Sequence, residues 1–431
     1  MLRLVLALSL ALVTSLASVS AASANPPSLG IRSETSQTRW GKRVVPIHLS
    51  KSLLDFIPGS SRSEIETIVW DSLKEWSARS GIKFSFSWTE ATSVSSADAR
   101  DGQNLVTVSP TADNLLLFQQ TASQDAGRTR IFLDRRGNIA EADIVLNPYQ
   151  RFSVAGELGT FDFQSVLTHE LGHLLGLKHS PVLGSTMSDS IVKNGTFGLT
   201  AFGARTLAAD DVSAVRELYG SAESACCGSV SGIFGGTLPT GGRLAVWLED
   251  PASGRVIAGR FADIDGNFSI GGLPAGSFIL RAQDSSRSGK RSIVPFEAIV
   301  DVSIGAATTV RQNLKSTSAR LVAGGIGFNG DLSFASVAAN QGRTYAFMLS
   351  TRKGIEENFT VVSSSSNIRV SNERLFEGSS TNDAIVDFNL TIPADVESGE
   401  YSFVLQDRKG GKFFLIGALS VGDSPNPWSI F

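Results

Sequence analysis

Ile82, Phe84, Phe86 and Trp88 alternate with Lys83, Ser85 and Ser87, a period of two that predicts a strand with one buried face. Just before it, Ile65, Ile68, Val69, Leu73 and Trp76 recur at helical spacing. Ser61 with Glu64 offers a capping box at the start of that helix, and Gly81 stands where it should stop. His48 falls on the face of its strand opposite Val45, Ile47 and Leu49 and receives no role. Segments 128–134 and 139–147 flank Arg136-Gly137-Asn138, a hairpin signal. Further apolar periodicity predicts a helix from about Asp162 to Leu175 and another from about Ala208 to Tyr219, closed by Gly220.

Past Ser221 the helical period disappears. Short apolar runs such as 244–248, 268–270 and 278–282, then 345–349, 385–392, 401–405 and 413–416, are separated by Gly, Pro, Asp and Ser. That spacing predicts two β-sandwiches in tandem, without the fixed period of a repeat array. The expected organisation is therefore a signal (1–24), a short segment (25–38), a mixed α and β domain (39–220), a linker (221–227), two all-β sandwiches (228–315 and 316–423) and a tail (424–431).

Composition changes this picture in three places. The 431 residues carry 41 acidic and 38 basic side chains with no long basic run, which argues against a nucleic-acid or anionic-membrane partner. Arg3, an apolar stretch from Leu4 to about Ala17 and the Ala22-Ser23-Ala24 pattern predict an export signal, with Ala21 as a competing cleavage point. The expected location is secreted or extracellular, with periplasm or cell surface as variants, and no integral membrane segment after signal removal. Cys226 and Cys227 are the only cysteines, so no disulfide framework holds the chain; free thiols, an intermolecular bridge and a bond between neighbours all stay open.

The chemistry concentrates in one helix. His169-Glu170-Leu171-Gly172-His173 continues to Gly176 and His179, the pattern HExxHxxGxxH. Residues four apart share a helix face, so His169 and His173 can present two imidazoles to one ion. Glycine at 176 lets the chain leave the helix and swing His179 toward the same ion. Three neutral imidazoles leave a fourth position on a tetrahedral zinc, the arrangement of a catalytic site. Glu170, beside the ligands without being one, is the candidate general base that takes a proton from water made acidic by zinc and returns it to the leaving amine. Three of the four histidines in the chain sit in this motif.

With Ser185-Thr186-Met187 just downstream, residues 39–220 resemble the metzincin zinc endopeptidases, and within them the matrixins. Ser180 follows the third histidine as in matrixins, and no tyrosine closely follows Met187. The resemblance implies an α+β metzincin-type catalytic domain, zinc as the cofactor, protein or peptide substrates, a methionine turn at Met187 beneath the metal, and Asp210 or Asp211 supporting that turn. It departs from the vertebrate pattern in having no cysteine ahead of the first strand, so cysteine-switch latency is not expected. A second, structural zinc would need histidines beyond His48, so that site is expected to be missing. Calcium is a candidate second ion, through carboxylates near Asp134 or Asp143. The segment 188–204 matches no pattern that translates into a preferred substrate side chain.

Downstream, Asp263-Ile264-Asp265-Gly266-Asn267 and Gly272-Leu273-Pro274-Ala275-Gly276 resemble the carboxypeptidase regulatory-like, transthyretin-type sandwich, with Asp263–Asn267 read as a hairpin turn. The second sandwich is immunoglobulin-like in strand spacing. Both are expected to serve as spacers, substrate-binding platforms or attachments to a surface or extracellular matrix. The expected function is a secreted zinc endopeptidase; the contrasting class is an extracellular adhesion or scaffolding protein whose metal domain is inert.

Overall fold

The computed structural model describes residues 38–95, 100–221, 223, 226–239, 243–285, 292–317, 321–328, 330–352, 359–377, 383–407 and 411–422. The export-signal reading, the segment up to residue 37 and the tail lie outside these residues. Within them the chain starts with strand β1 (Val44–Ser50), a short helix α1 (Ser52–Phe56), helix α2 (Arg62–Ser80) and strand β2 (Lys83–Thr89). The α2 boundaries follow from local chemistry. Ser61 accepts the N–H of Glu64, the Glu64 carboxylate accepts the Ser61 N–H, and Gly81 ends the helix at φ +66°.

Next come β3 (Leu105–Thr107), the short helix α3 (Ala112–Leu116), and the expected hairpin of β4 (Gly127–Leu133) and β5 (Ile139–Leu146). The sheet order is β2-β1-β3-β5-β4, parallel except for β4, which forms an antiparallel edge. Helices α4 (Phe163–Leu174) and α5 (Ala209–Tyr219) complete the domain. Val45, Ile47 and Leu49 point into one core with Ile65, Val69, Leu73 and Trp76 of α2 and Val166, Leu167 and Leu171 of α4. His48 takes the other face of β1, near the Ser87 hydroxyl at 3.4 Å. Trp76 Nε1 donates to the Thr168 carbonyl at 2.8 Å, pinning α2 to α4. The domain's end is tied to its start, because the Tyr219 hydroxyl donates to the Leu175 carbonyl and accepts the Trp40 N–H.

The all-β region begins at Cys226, two residues earlier than the spacing suggested, because Cys226–Gly236 pairs with Asn267–Pro274 and Ala307–Leu314 in a three-stranded sheet. Cys226 and Cys227 are bonded to each other. The facing sheet holds Val256–Phe261, Leu244–Glu249, Gly276–Asp284 and Phe296–Val302. One expectation is corrected here. The Asp263–Asn267 turn does not close a hairpin, since Val256–Phe261 lies in one sheet and Asn267–Pro274 in the other. The Asp263 carboxylate does cap a local turn through the N–H groups of Asp265 and Asn267. Phe268 then stacks on Phe234 at 5.0 Å, and that core contact draws the chain into the opposite sheet.

The second sandwich pairs a five-stranded sheet (Asp331–Ser333, Ala323–Phe328, Arg343–Arg352, Asp383–Ile392, Arg369–Glu377) with a four-stranded one (Val337–Ala339, Lys412–Val421, Gly399–Asp407, Phe359–Ser363). Its core centres on Phe347, Phe388 and Phe403.

The three parts are packed together rather than strung out. Between the sandwiches, Gln283 exchanges two hydrogen bonds with the Phe414 backbone, at 2.7 and 2.8 Å. The first sandwich meets α5 through Ser213 to the Gly271 carbonyl at 2.7 Å and an ion pair of Arg260 with Glu217. The second receives Phe197, which is buried in its core cluster. Among the described residues, no helix is long and apolar enough to cross a membrane.

Candidate active site

Helix α4 is launched by Asp162, whose carboxylate accepts the Ser165 N–H at 2.9 Å and is gripped by the Arg205 guanidinium at 2.6 Å. Its inner face carries Val166, Leu167, Leu171 and Leu174 into the core, which turns His169 and His173 toward the opposite side. At Gly176 the backbone adopts φ +97°, and a Cβ there would lie 2.1 Å from the Thr38 carbonyl oxygen. Only glycine makes this exit without a collision. The chain then returns His179 to its partners.

One nitrogen from each of His169, His173 and His179 lies within 4.8 Å of the others, and the Nε2 atoms of His173 and His179 are 3.2 Å apart. Zinc–nitrogen bonds of about 2.0–2.1 Å in a tetrahedron would place ligand nitrogens about 3.3–3.4 Å apart. The 3.2 Å spacing of His173 and His179 matches that distance, and His169 lies within 4.8 Å of both. The tautomers suit such an ion. His169 Nδ1–H donates to the Thr186 carbonyl at 2.7 Å and His173 Nδ1–H to the Leu177 carbonyl at 2.9 Å, so the Nε2 lone pairs are free to face a cation. Burial, followed by repulsion from the other two rings, holds the His169 imidazole well below its usual range. Burial lowers His173 too. The outer edge of His179 is exposed, yet desolvation of its inner edge and the nearby charges of His173 and Arg243 act in the same direction. Neutral imidazoles are the form that binds metal.

Glu170 is buried beside the histidine triad. The Thr129 hydroxyl on β4 donates to its Oε2 at 2.6 Å, and burial pushes the carboxyl up to about 7 against that bond. Room for it comes from Gly127, also on β4, where a Cβ would lie 2.8 Å from Glu170 Oε1. The motif does not reveal Gly127 or Thr129, because both lie about forty residues upstream of it; a glycine at the start of a strand was the only trace.

Met187 is 2% exposed beneath the helix, and a Cβ on Gly172 would meet its Sδ at 2.2 Å and Trp76 Cζ2 at 2.9 Å. The turn that holds Met187 is built on Asp211. One carboxylate oxygen accepts the Ser185 hydroxyl and the Met187 N–H; the other accepts the N–H groups of Thr186 and Ala208. Of the two aspartates expected to support this turn, Asp211 makes these bonds, while the buried Asp210 beside it meets the Ser180 and Ser185 side chains and also accepts the Gly259 N–H of the first sandwich. Asp134 and Asp143 lie elsewhere: Asp134 caps the turn at Arg136 and Asn138, and Asp143 accepts the N–H groups of Ser95 and Leu105. Among the described residues the histidine triad is the cluster able to hold a metal.

Residues 39–220 match the family described as Matrixin. No curated protein matches the chain. Among solved structures, the minor pilin GBS52 of Streptococcus agalactiae is similar at 16% identity over 22% of this chain and 47% of its own, with a TM-score of 0.16. The Bacteroides ovatus mixed-linkage glucan utilization protein SGBP-B is similar at 14% identity over 42% of this chain and 37% of its own, with a TM-score of 0.16. The chain spans less than half the length of either. On the family match, with the histidine triad placed as described, residues 39–220 are a matrixin-like domain.

Proposed function

We propose that this protein is a secreted zinc-dependent endopeptidase acting on protein substrates, with His169, His173 and His179 as ligands and Glu170 as general base. The observation that carries the proposal is the convergence of three imidazole nitrogens, two with their tautomers set by backbone carbonyls, directly beside a buried carboxylate. A zinc ion held there would supply Lewis acidity toward a peptide carbonyl and make water acidic enough to yield a proton near neutral pH.

The chain's own residues account for the rest. Strand β4 is an edge strand, so its outward N–H and C=O groups can pair with an extended peptide. Gly127 and Thr129 of that strand touch Glu170, so a peptide laid along it passes the carboxylate. Glu170 Oε1, free of the Thr129 bond, takes the proton from the attacking water and delivers it to the leaving amine. The Thr129 hydroxyl holds the other oxygen in place. The export signal read in residues 1–24 supports secretion, and the two sandwiches suit attachment to a surface or matrix.

Purified protein should cleave an unfolded protein substrate, lose that activity to a chelator and regain it with zinc. Glu170→Gln should retain full zinc content while turnover falls about 10²–10⁴-fold. Activity that persists in the variant, or in the presence of chelator, would refute the mechanism.

A further inference from the structure

Residues 180–187, between the third histidine and the methionine turn, are tied to the metal ligands on one side and to the sandwiches on the other. On the inner side, the Ser180 N–H donates to the Met187 carbonyl at 2.8 Å, and the Thr186 carbonyl receives the Nδ1–H of His169. On the outer side, Val182 is fully buried, but its neighbours are Ala245, Trp247 and Val256 of the first sandwich and Val404, Phe414 and Ile416 of the second. Two glycines form its socket. A Cβ on Gly259 would lie 2.9 Å from Val182 Cγ2, and one on Gly417 would lie 2.5 Å from Cγ1. Leu183 adds a bond from its N–H to the Ile416 carbonyl at 2.8 Å. Two residues past the methionine turn, Asp189 pairs with Arg243 of the first sandwich at 2.6 Å.

We propose that the two sandwiches position the metal centre, with Val182 as the positioning residue seated between them. A loop of this length would otherwise sample many conformations. Fixing Val182 three residues after His179 and four before Thr186 holds one ligand and the carbonyl that orients another. This rests on the zinc reading of the triad, and it gives the sandwiches a part in holding the ion that spacers or attachment modules would not have.

The test uses the full-length, zinc-loaded protein and follows zinc release to a chromogenic chelator, the visible spectrum after cobalt substitution, and the melting midpoint. Val182→Ala empties the socket, and Gly259→Ala crowds Val182 from the sandwich side. Phe268→Leu loosens the first sandwich's own core without touching residues 180–187. Both Val182→Ala and Gly259→Ala should release zinc about 10–100-fold faster, the range for residues that orient metal ligands, with an altered cobalt spectrum. Phe268→Leu should melt earlier yet release zinc at the parent rate. Parent-rate release from Gly259→Ala and Val182→Ala overturns the proposal, as does equal acceleration by Phe268→Leu. If Val182→Ala does not fold, Gly259→Ala decides alone. A parent protein that binds no zinc refutes the zinc reading and this proposal with it, whereas a zinc-binding parent with unaffected variants refutes the positioning role only.

Discussion

Helix α4 tolerates no side chain at the position that packs on Met187. Gly172 lies against Met187 and Trp76, and overpacking a dense core typically costs about 1–3 kcal/mol. Gly172→Ala should therefore lower stability by that order, measured by urea denaturation, and should displace Met187. The convergence of the three histidines, the nearness of Glu170 and the turn at Gly176 were legible in the sequence because a helix converts spacing directly into direction. Glu170's partners were not. Thr129 and Gly127 reach it across the fold from β4, and no local pattern encodes a pairing over that separation. The same limit left Asp210 and Asp211 undivided, since nothing local shows that Asp211 gathers the N–H groups of the turn while Asp210 also reaches a neighbouring module.

Two helices show how reach in sequence governs what can be foreseen. The start of α2 is written in four residues, with Ser61 and Glu64 satisfying each other's N–H groups. Ser61→Ala should cost about 1 kcal/mol, the usual value for losing such a cap, and a urea titration will show it. The start of α4 also has a cap, Asp162, but that carboxylate is fully buried and paired with Arg205, which comes from a segment with no readable periodicity. Removing one partner of a buried pair strands the other charge, typically at about 3–5 kcal/mol. Asp162→Ala should thus destabilise the protein several-fold more than Ser61→Ala, and because α4 carries His169 and His173, two of the proposed ligands, it should also weaken zinc retention. The short apolar runs read in both sandwiches lie on strands, as at Leu244–Glu249 and Lys412–Val421. The assignment of each strand to its sheet was not legible, because it depends on core contacts such as Phe234 with Phe268.

For the molecule as a whole, titration offers a probe of the joint between its parts. Burial, and then the charges of Asp211 and Asp210, push the Glu400 carboxyl from 4.5 up to about 7, with Arg255 opposing them. The folded protein therefore favours a protonated Glu400 where the unfolded chain would be ionised. This group's contribution to stability is full below about pH 4.5 and is lost as pH rises through 7. Measured against Glu400→Gln, which removes this one titration, the denaturation midpoint of the chelator-treated parent should fall as pH rises from 4.5 to 7.5. Sequence spacing indicated three consecutive parts but not that they share side chains, since no local pattern marks Val182 or Phe197 as reaching a neighbouring core.

That sharing bears on how such a protein can change over time. A recombination event at Ser221 would carry the histidines, the carboxylate and the methionine into a new host protein, but would leave behind the pocket in which Val182 rests. With Val182 in the positioning role proposed above, the matrixin-like part is not a cassette: its descendants would inherit all three parts together or evolve a replacement for that pocket.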